Sequence, residues 1–166
     1  MKQSYLEEKN AMPHRVRFDL VTRIGRDLLV NGGEIFRTKE TMRIAAGALG
    51  LEDFEVYLLN NGIFATTTVE GKYYSSSIFQ VPLAPIMLSR VDELNTLSRR
   101  IAAGKCSPGE IGTELDRIEA IPMPLPGVQV FGAGIGSLGF CYLFNGTVAD
   151  SFVAFTAGLL LYAFVL

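Results

Sequence analysis

The sequence predicts a cytoplasmic α+β domain, in the order ααβββαα around a three-stranded antiparallel meander, followed by two transmembrane α-helices. Three observations predict it. Apolar residues recur at helical spacing on either side of a central stretch, they alternate with period two within that stretch, and charge disappears from the C-terminal part. All fifteen Lys and Arg residues stand at or before Arg117, and beyond Ile118 the acids are only Glu119 and Asp150. A domain bathed in water needs solvated groups on its outer faces, so a tail this poor in charge calls for another solvent.

Residues 1–13 are polar and end at Pro13, which predicts a flexible tail. From Arg15, the residues Val16, Leu20, Ile24 and Leu28 recur every four positions with Val21 beside them, one face of a helix. Asn31-Gly32-Gly33 breaks it. A second helix follows over about Glu34 to Leu49, with Ile35, Met42, Ala46 and Leu49 inward and Gly50 past its end. Phe54, Val56 and Leu58 then alternate with Glu55 and Tyr57, and Asn61-Gly62 marks a hairpin. Ile63 to Val69 and Lys72 to Val81 read as further strands, separated by Glu70-Gly71 and closed by Pro82 and Pro85. Three bare strands are not stable alone, so helices must cover one face.

Ser89-Arg-Val-Asp92 and Ser107-Pro-Gly-Glu110 each fit a capping box. Val91, Leu94, Leu97 and Ile101 form the stripe of the first helix that follows, and Ile111, Leu115 and Ile118 that of the second. The domain is thus expected over 14–121. Pro122, Pro124 and Pro126 stiffen a link over 122–127. Beyond it, 128–144 and 148–166 are apolar and near the ~17–25 residues that cross a bilayer, which predicts a tight transmembrane hairpin over 128–166. Lys105 and Arg117 precede the first span and the 145–150 turn has no cation, so the domain is expected in the cytoplasm.

The net charge of −2 argues against nucleic acid as a partner. Cys106 and Cys141 fall in different regimes of the chain and are read as free thiols. The lone histidine, His14, has no neighbouring set of ligands, so neither a metal nor any other cofactor is implied. With no Ser or Cys paired to a histidine by motif, no catalytic residue is assigned and the chain is read as a non-enzyme. Val128 to Ser137 resembles a dinucleotide-binding fingerprint through Gly132-Ala-Gly134. Too few residues follow to complete a doubly wound sheet, and Asn145-Gly146 would break the crossover helix. Close helix packing explains the small residues better, through Gly132, Gly136 and Gly139 or through Ala133, Ser137 and Cys141.

Leu28-Leu-Val-Asn-Gly-Gly-Glu34-Ile-Phe-Arg37-Thr-Lys-Glu40-Thr-Met resembles the opening signature of the threonine/serine exporter family, with Phe36 and Lys39 varying it. Gly62-Ile-Phe64, Val91 to Arg99 and Leu143 to Leu160 are similar to further stretches of that family, in the same order. The resemblance implies a plasma-membrane (inner-membrane) secondary transporter, or a component of one, that exports small polar metabolites such as threonine and serine or small dicarboxylates. It also implies more membrane helices than two, so the apolar end at Leu166 leads to the expectation of a truncated chain, completed by further copies or by a partner membrane subunit. A membrane-tethered cytoplasmic sensor or assembly subunit, without transport activity of its own, is the alternative.

A substrate amino acid needs a cation for its carboxylate and an acid for its ammonium group. Glu34, Arg37 and Thr41 would share one helical face, with Glu40 and Arg43 beside it. The plain alternative is a solvated face carrying a Glu34–Arg37 pair worth less than about 1 kcal/mol. Arg90, Asn95 and Ser98 form the polar side of the third helix and complete the substrate-binding candidates. Asp150 is a candidate for coupling to an ion, or simply a charge suited to a helix N-terminus.

Overall fold

The computed structural model describes residues 9–59, 62–69, 71–79 and 85–166. The chain divides into two compact units, Met1–Ile121 and Pro122–Leu166. The first is a mixed α+β unit with a three-stranded antiparallel sheet.

Helix α1 (His14–Val30) is central to the first unit. It packs on α2 (Ile35–Ala48), α3 (Leu88–Ala102) and α4 (Ile111–Glu119), and on the sheet made by β1 (Glu55–Leu59), β2 (Gly62–Val69) and β3 (Lys72–Phe79). Phe18, Val21, Ile24 and Leu28 fill its buried arc. Val16, expected on that arc, is 42% exposed. The cause is geometric. Each step of four residues overshoots a turn by about 40°, so three steps from Leu28 back to Val16 carry the row about 120° around the helix.

Arg17 is the one cation buried in this unit among the described residues. Its Nε donates to Met12 O at 2.9 Å, its Nη1 to Leu49 O at 3.3 Å and its Nη2 to Asn10 O at 3.5 Å. Residues 9–11 are helical, so this part of the expected tail is tied to α1 and to the end of α2. Residues 1–8 lie outside the described residues.

In the sheet, Val56 faces Ala65 and Leu58 faces Ile63, and all four side chains are buried. Tyr57 and Tyr73 stand outward. The alternation expected of β1 therefore sets one face against the helices. The turn residues Asn61 and Glu70, and Pro82, lie outside the described residues. Leu94, Leu97 and Ile101 of α3 and Ile111, Leu115 and Ile118 of α4 are buried against the same core. Neither expected capping box forms. Helix α3 starts at Leu88, which puts Ser89 inside its first turn, and α4 is entered through a 3₁₀ turn, Pro108–Glu110.

The second unit is a helical hairpin of α5 (Pro126–Leu143) and α6 (Val148–Val165). Helix α5 begins at Pro126, a good first residue because its missing N–H would be unpaired there anyway, so the link is shorter than expected. Each helix has 18 residues, about 27 Å of rise. Among the described residues only Val148–Val165 is long and apolar enough to cross a membrane by length and composition. The first of the two expected spans matches it in length but not in apolarity, diluted by Gln129 and by Gly127, Gly132, Gly134, Gly136 and Gly139.

Small residues let the two helices approach. A β-carbon on Gly134 would stand 2.8 Å from Leu159 and 2.9 Å from Phe155. One on Gly158 would meet Ser137 and the carbonyl of Ala133. Tyr162 Oη donates to Gln129 Oε1 at 2.9 Å across the same seam. Of the two expected small-residue rows, the one through Ala133 and Ser137 therefore makes the seam, while Gly132, Gly136 and Gly139 have open space before them. The helix runs unbroken through Gly132 and Gly134, which removes the strand-to-helix turn that a dinucleotide site needs.

The displaced stripe on α1 is testable by one chemical change at two positions. Val21→Ala, fully buried, is expected to cost about 2 kcal/mol, whereas Val16→Ala stays within about 0.5 kcal/mol. Thermal unfolding of the two variants in detergent checks this, and equal losses would contradict the packing described.

Candidate functional site

The turn between α1 and α2 builds the candidate site. Asn31 Nδ2 donates to Asp27 O at 2.7 Å and Gly33 N to Leu28 O at 2.7 Å, closing the end of α1. Gly32 has φ +89°, a conformation that side chains disfavour, and a β-carbon there would meet Ile86 at 2.9 Å. Met87 N donates to Asn31 O at 3.1 Å, which ties the start of α3 to this turn. Between the three helices lies a cleft of about 190 Å³. Leu28, Leu88 and Val91 give it an apolar lining, and Glu34, Arg37, Thr38 and Asn95 bring polar groups to it.

Of the residues singled out from sequence, the cleft gathers Glu34, Arg37 and Asn95. Glu34 and Arg37 are exposed and, although three residues apart, make no ion pair with each other or with any other group among the described residues. Thr41 and Ser98 stand behind Asn95: Thr41 Oγ1 lies 3.4 Å from Asn95 Oδ1, and Ser98 Oγ donates to Asn95 O at 2.9 Å. Glu40 is exposed on α2 and does not line the cleft. Arg43 reaches Glu55 instead, at 3.4 Å.

The sequence reading missed Thr38. It is 1% exposed, lines the cleft, and its Oγ1 has no hydrogen-bond partner. Buried Thr22 and Thr67 each donate to a carbonyl at 2.5 Å, to Phe18 O and Glu52 O. A signal was present: Thr38 lies three residues after Ile35 and four before Met42, a polar residue on an apolar stripe.

Arg90 belongs elsewhere. Its Nη2 and Nε donate to Ile121 O at 2.6 and 3.2 Å, and it lines a smaller cleft of about 50 Å³ with Asp27, Asn31 and Glu119. There, Arg23 holds Asp116 at 2.6 Å and Glu119 at 3.0 Å and stands 3.6 Å from Asp27. Burial pushes the Asp27 carboxyl up to about 6, against the opposing pull of Arg23. Among the described residues no group of three His, Cys, Asp or Glu side chains could hold a metal ion.

In the second unit, Asp150 forms a capping box at the start of α6. Thr147 N donates to Asp150 Oδ2 at 3.0 Å, and Asp150 N donates to Thr147 Oγ1 at 3.2 Å.

The family model ThrE, which describes threonine/serine exporters, matches residues 19–166. No match is found among curated proteins or among solved structures.

Asp27 makes stability depend on pH in a stated direction. Its carboxyl holds a proton more tightly folded than unfolded, so its contribution is complete below about pH 4 and is lost as pH rises through about 6. Asp27→Asn removes the buried charge. It should therefore raise stability at about pH 7.5, by at most about 3 kcal/mol, and change little at about pH 4. Thermal unfolding of both proteins across this range checks it; a pH-independent difference would contradict the burial of this carboxyl.

Proposed function

The chain belongs to the threonine/serine exporter family, and from this premise we propose that it is a component of a plasma-membrane secondary transporter that exports small polar metabolites. The match over residues 19–166 is the observation that carries this reading, since it includes both units. Threonine and serine are the first substrates to consider, with small dicarboxylates as relatives of similar size and polarity. The first unit lies in the cytoplasm, and α5 and α6 cross the inner membrane as a hairpin. Chemistry supports this. Phe140, Leu143, Phe152, Val153, Leu160, Leu161 and Phe164 all stand exposed, an apolar surface that water does not favour and hydrocarbon does. The helical seam satisfies Gln129 and Tyr162 internally, as a hydrocarbon setting demands. The organisation proposed is a domain over 14–121, a link, and a membrane hairpin over 126–165, assembled with further copies or with a partner membrane subunit. No bond is made or broken in this role.

A second reading follows from the cleft, which is built wholly from residues of the first unit. A membrane-tethered sensor or assembly subunit would bind the metabolite there without moving it.

Two measurements separate these readings. The protein should stay in the membrane fraction after salt and carbonate washing, and its release would contradict both. Cells lacking it should export threonine or serine at least about threefold more slowly and accumulate it. Unchanged export, with the protein retained in membranes, would favour the sensor.

A further inference from the structure

We infer that the cleft between α1, α2 and α3 is a binding site for a small α-amino acid, held with its carboxylate on the N-terminus of α2 beside Arg37, its ammonium group near Glu34 and its side chain toward Thr38. Thr38 carries the argument. A buried hydroxyl without a partner is destabilising, and the residue that carries this one lines a cleft. Gly33 keeps the space before it open, because a β-carbon there would stand 3.1 Å from Thr38 Oγ1 and 2.8 Å from Leu28 O.

The start of α2 borders the same cleft through Glu34 and Arg37. Glu34 is the cap residue of α2, yet its side chain makes no capping bond. The first N–H groups of the helix have no acceptor among the described residues, at the positive end of its dipole. Arg37 adds a cation that no carboxylate among the described residues engages, and Glu34 adds the opposite charge three residues away. Asn95, lining the cleft from α3, receives among the described residues only the long contact from Thr41 on its Oδ1.

Size and charge select the ligand. A cleft of about 190 Å³ is below the ~300–1,000 Å³ of sites for drug-sized molecules, and suits a metabolite of amino-acid size. One cation and one anion match a zwitterion. A dicarboxylate would place its second negative charge near Glu34 with no second cation in the cleft.

The choice of probes rests on the exporter reading, while the site rests on the cleft itself. Titration calorimetry of the intact chain in detergent, with L-threonine, L-serine and succinate, tests it. Threonine and serine should bind at least about tenfold more tightly than succinate. Thr38→Val keeps the shape of the side chain and removes its hydroxyl; it should weaken threonine binding at least about tenfold without lowering Tm. Arg37→Gln should weaken threonine and serine alike, and Arg43→Gln, outside the cleft, should change nothing. Amide hydrogen exchange on the unmodified chain gives a second measurement that needs no variant: threonine should slow exchange at Ile35, Phe36 and Arg37. Undiminished binding by Thr38→Val, absence of heat with threonine and serine, or unaltered exchange at these amides would each overturn the site. If deletion stops export while Thr38→Val binds threonine normally, the site falls and the exporter reading stands. If Thr38→Val loses binding while deletion leaves export intact, the site stands and the exporter reading falls.

Discussion

The constraint on which the site depends is the three-residue turn from Asn31 to Gly33. Two glycines permit the chain to reverse where a β-carbon would strike Ile86 or the Leu28 carbonyl. Asn31 then ties α1 to α3, through its side chain to Asp27 and through its carbonyl to Met87 at the start of α3. Because α2 begins immediately after this turn, Arg37 and Thr38 are delivered to the cleft beside α3. Displace the turn, and Thr38 becomes an ordinary core threonine with nothing in front of it.

Much of this was legible in the sequence because it follows from period alone. The inward set of β1, the buried stripes of α3 and α4, and the break at Gly32-Gly33 all come from spacing and from backbone preference. What was not legible depends on tertiary contact. Val16 looked like core because a row of four-residue steps was read as straight, when it winds around the helix. The capping boxes failed because a cap depends on the backbone angles of one residue, and the contact between Met87 and Asn31 fixes where α3 starts. Arg17 sits near 5% exposure, which composition cannot foresee; its donors are satisfied by carbonyls from residues 10, 12 and 49, none of them in its own helix. For the site, Glu34 and Arg37 were visible through charge and helical spacing, whereas Thr38 was hidden among the apolar residues it accompanies.

The hairpin shows the same division between what spacing fixes and what contact decides. Composition announces that 118–166 has left the chemistry of a water-facing surface, but not which small residues make the seam. Two rows of small residues lie on α5, and sequence alone gives no reason to prefer either. Large side chains on the partner decide it. Phe155 and Leu159 need room, and Gly134 supplies it. The resulting contact combines close backbone approach with one hydrogen bond between Gln129 and Tyr162, so that both a shape and a polar pairing hold the helices in register.

The corner joining α5 to α6 has a consequence for how such a pair is made. Gly146 N returns to Cys141 O at 2.9 Å, Asn145 takes a left-handed φ of +64°, and Thr147 and Asp150 answer each other. A corner whose donors and acceptors are matched locally carries a smaller dehydration penalty than a bare loop. The two rods can therefore be stitched together, before either has found other company, as a single folded clip.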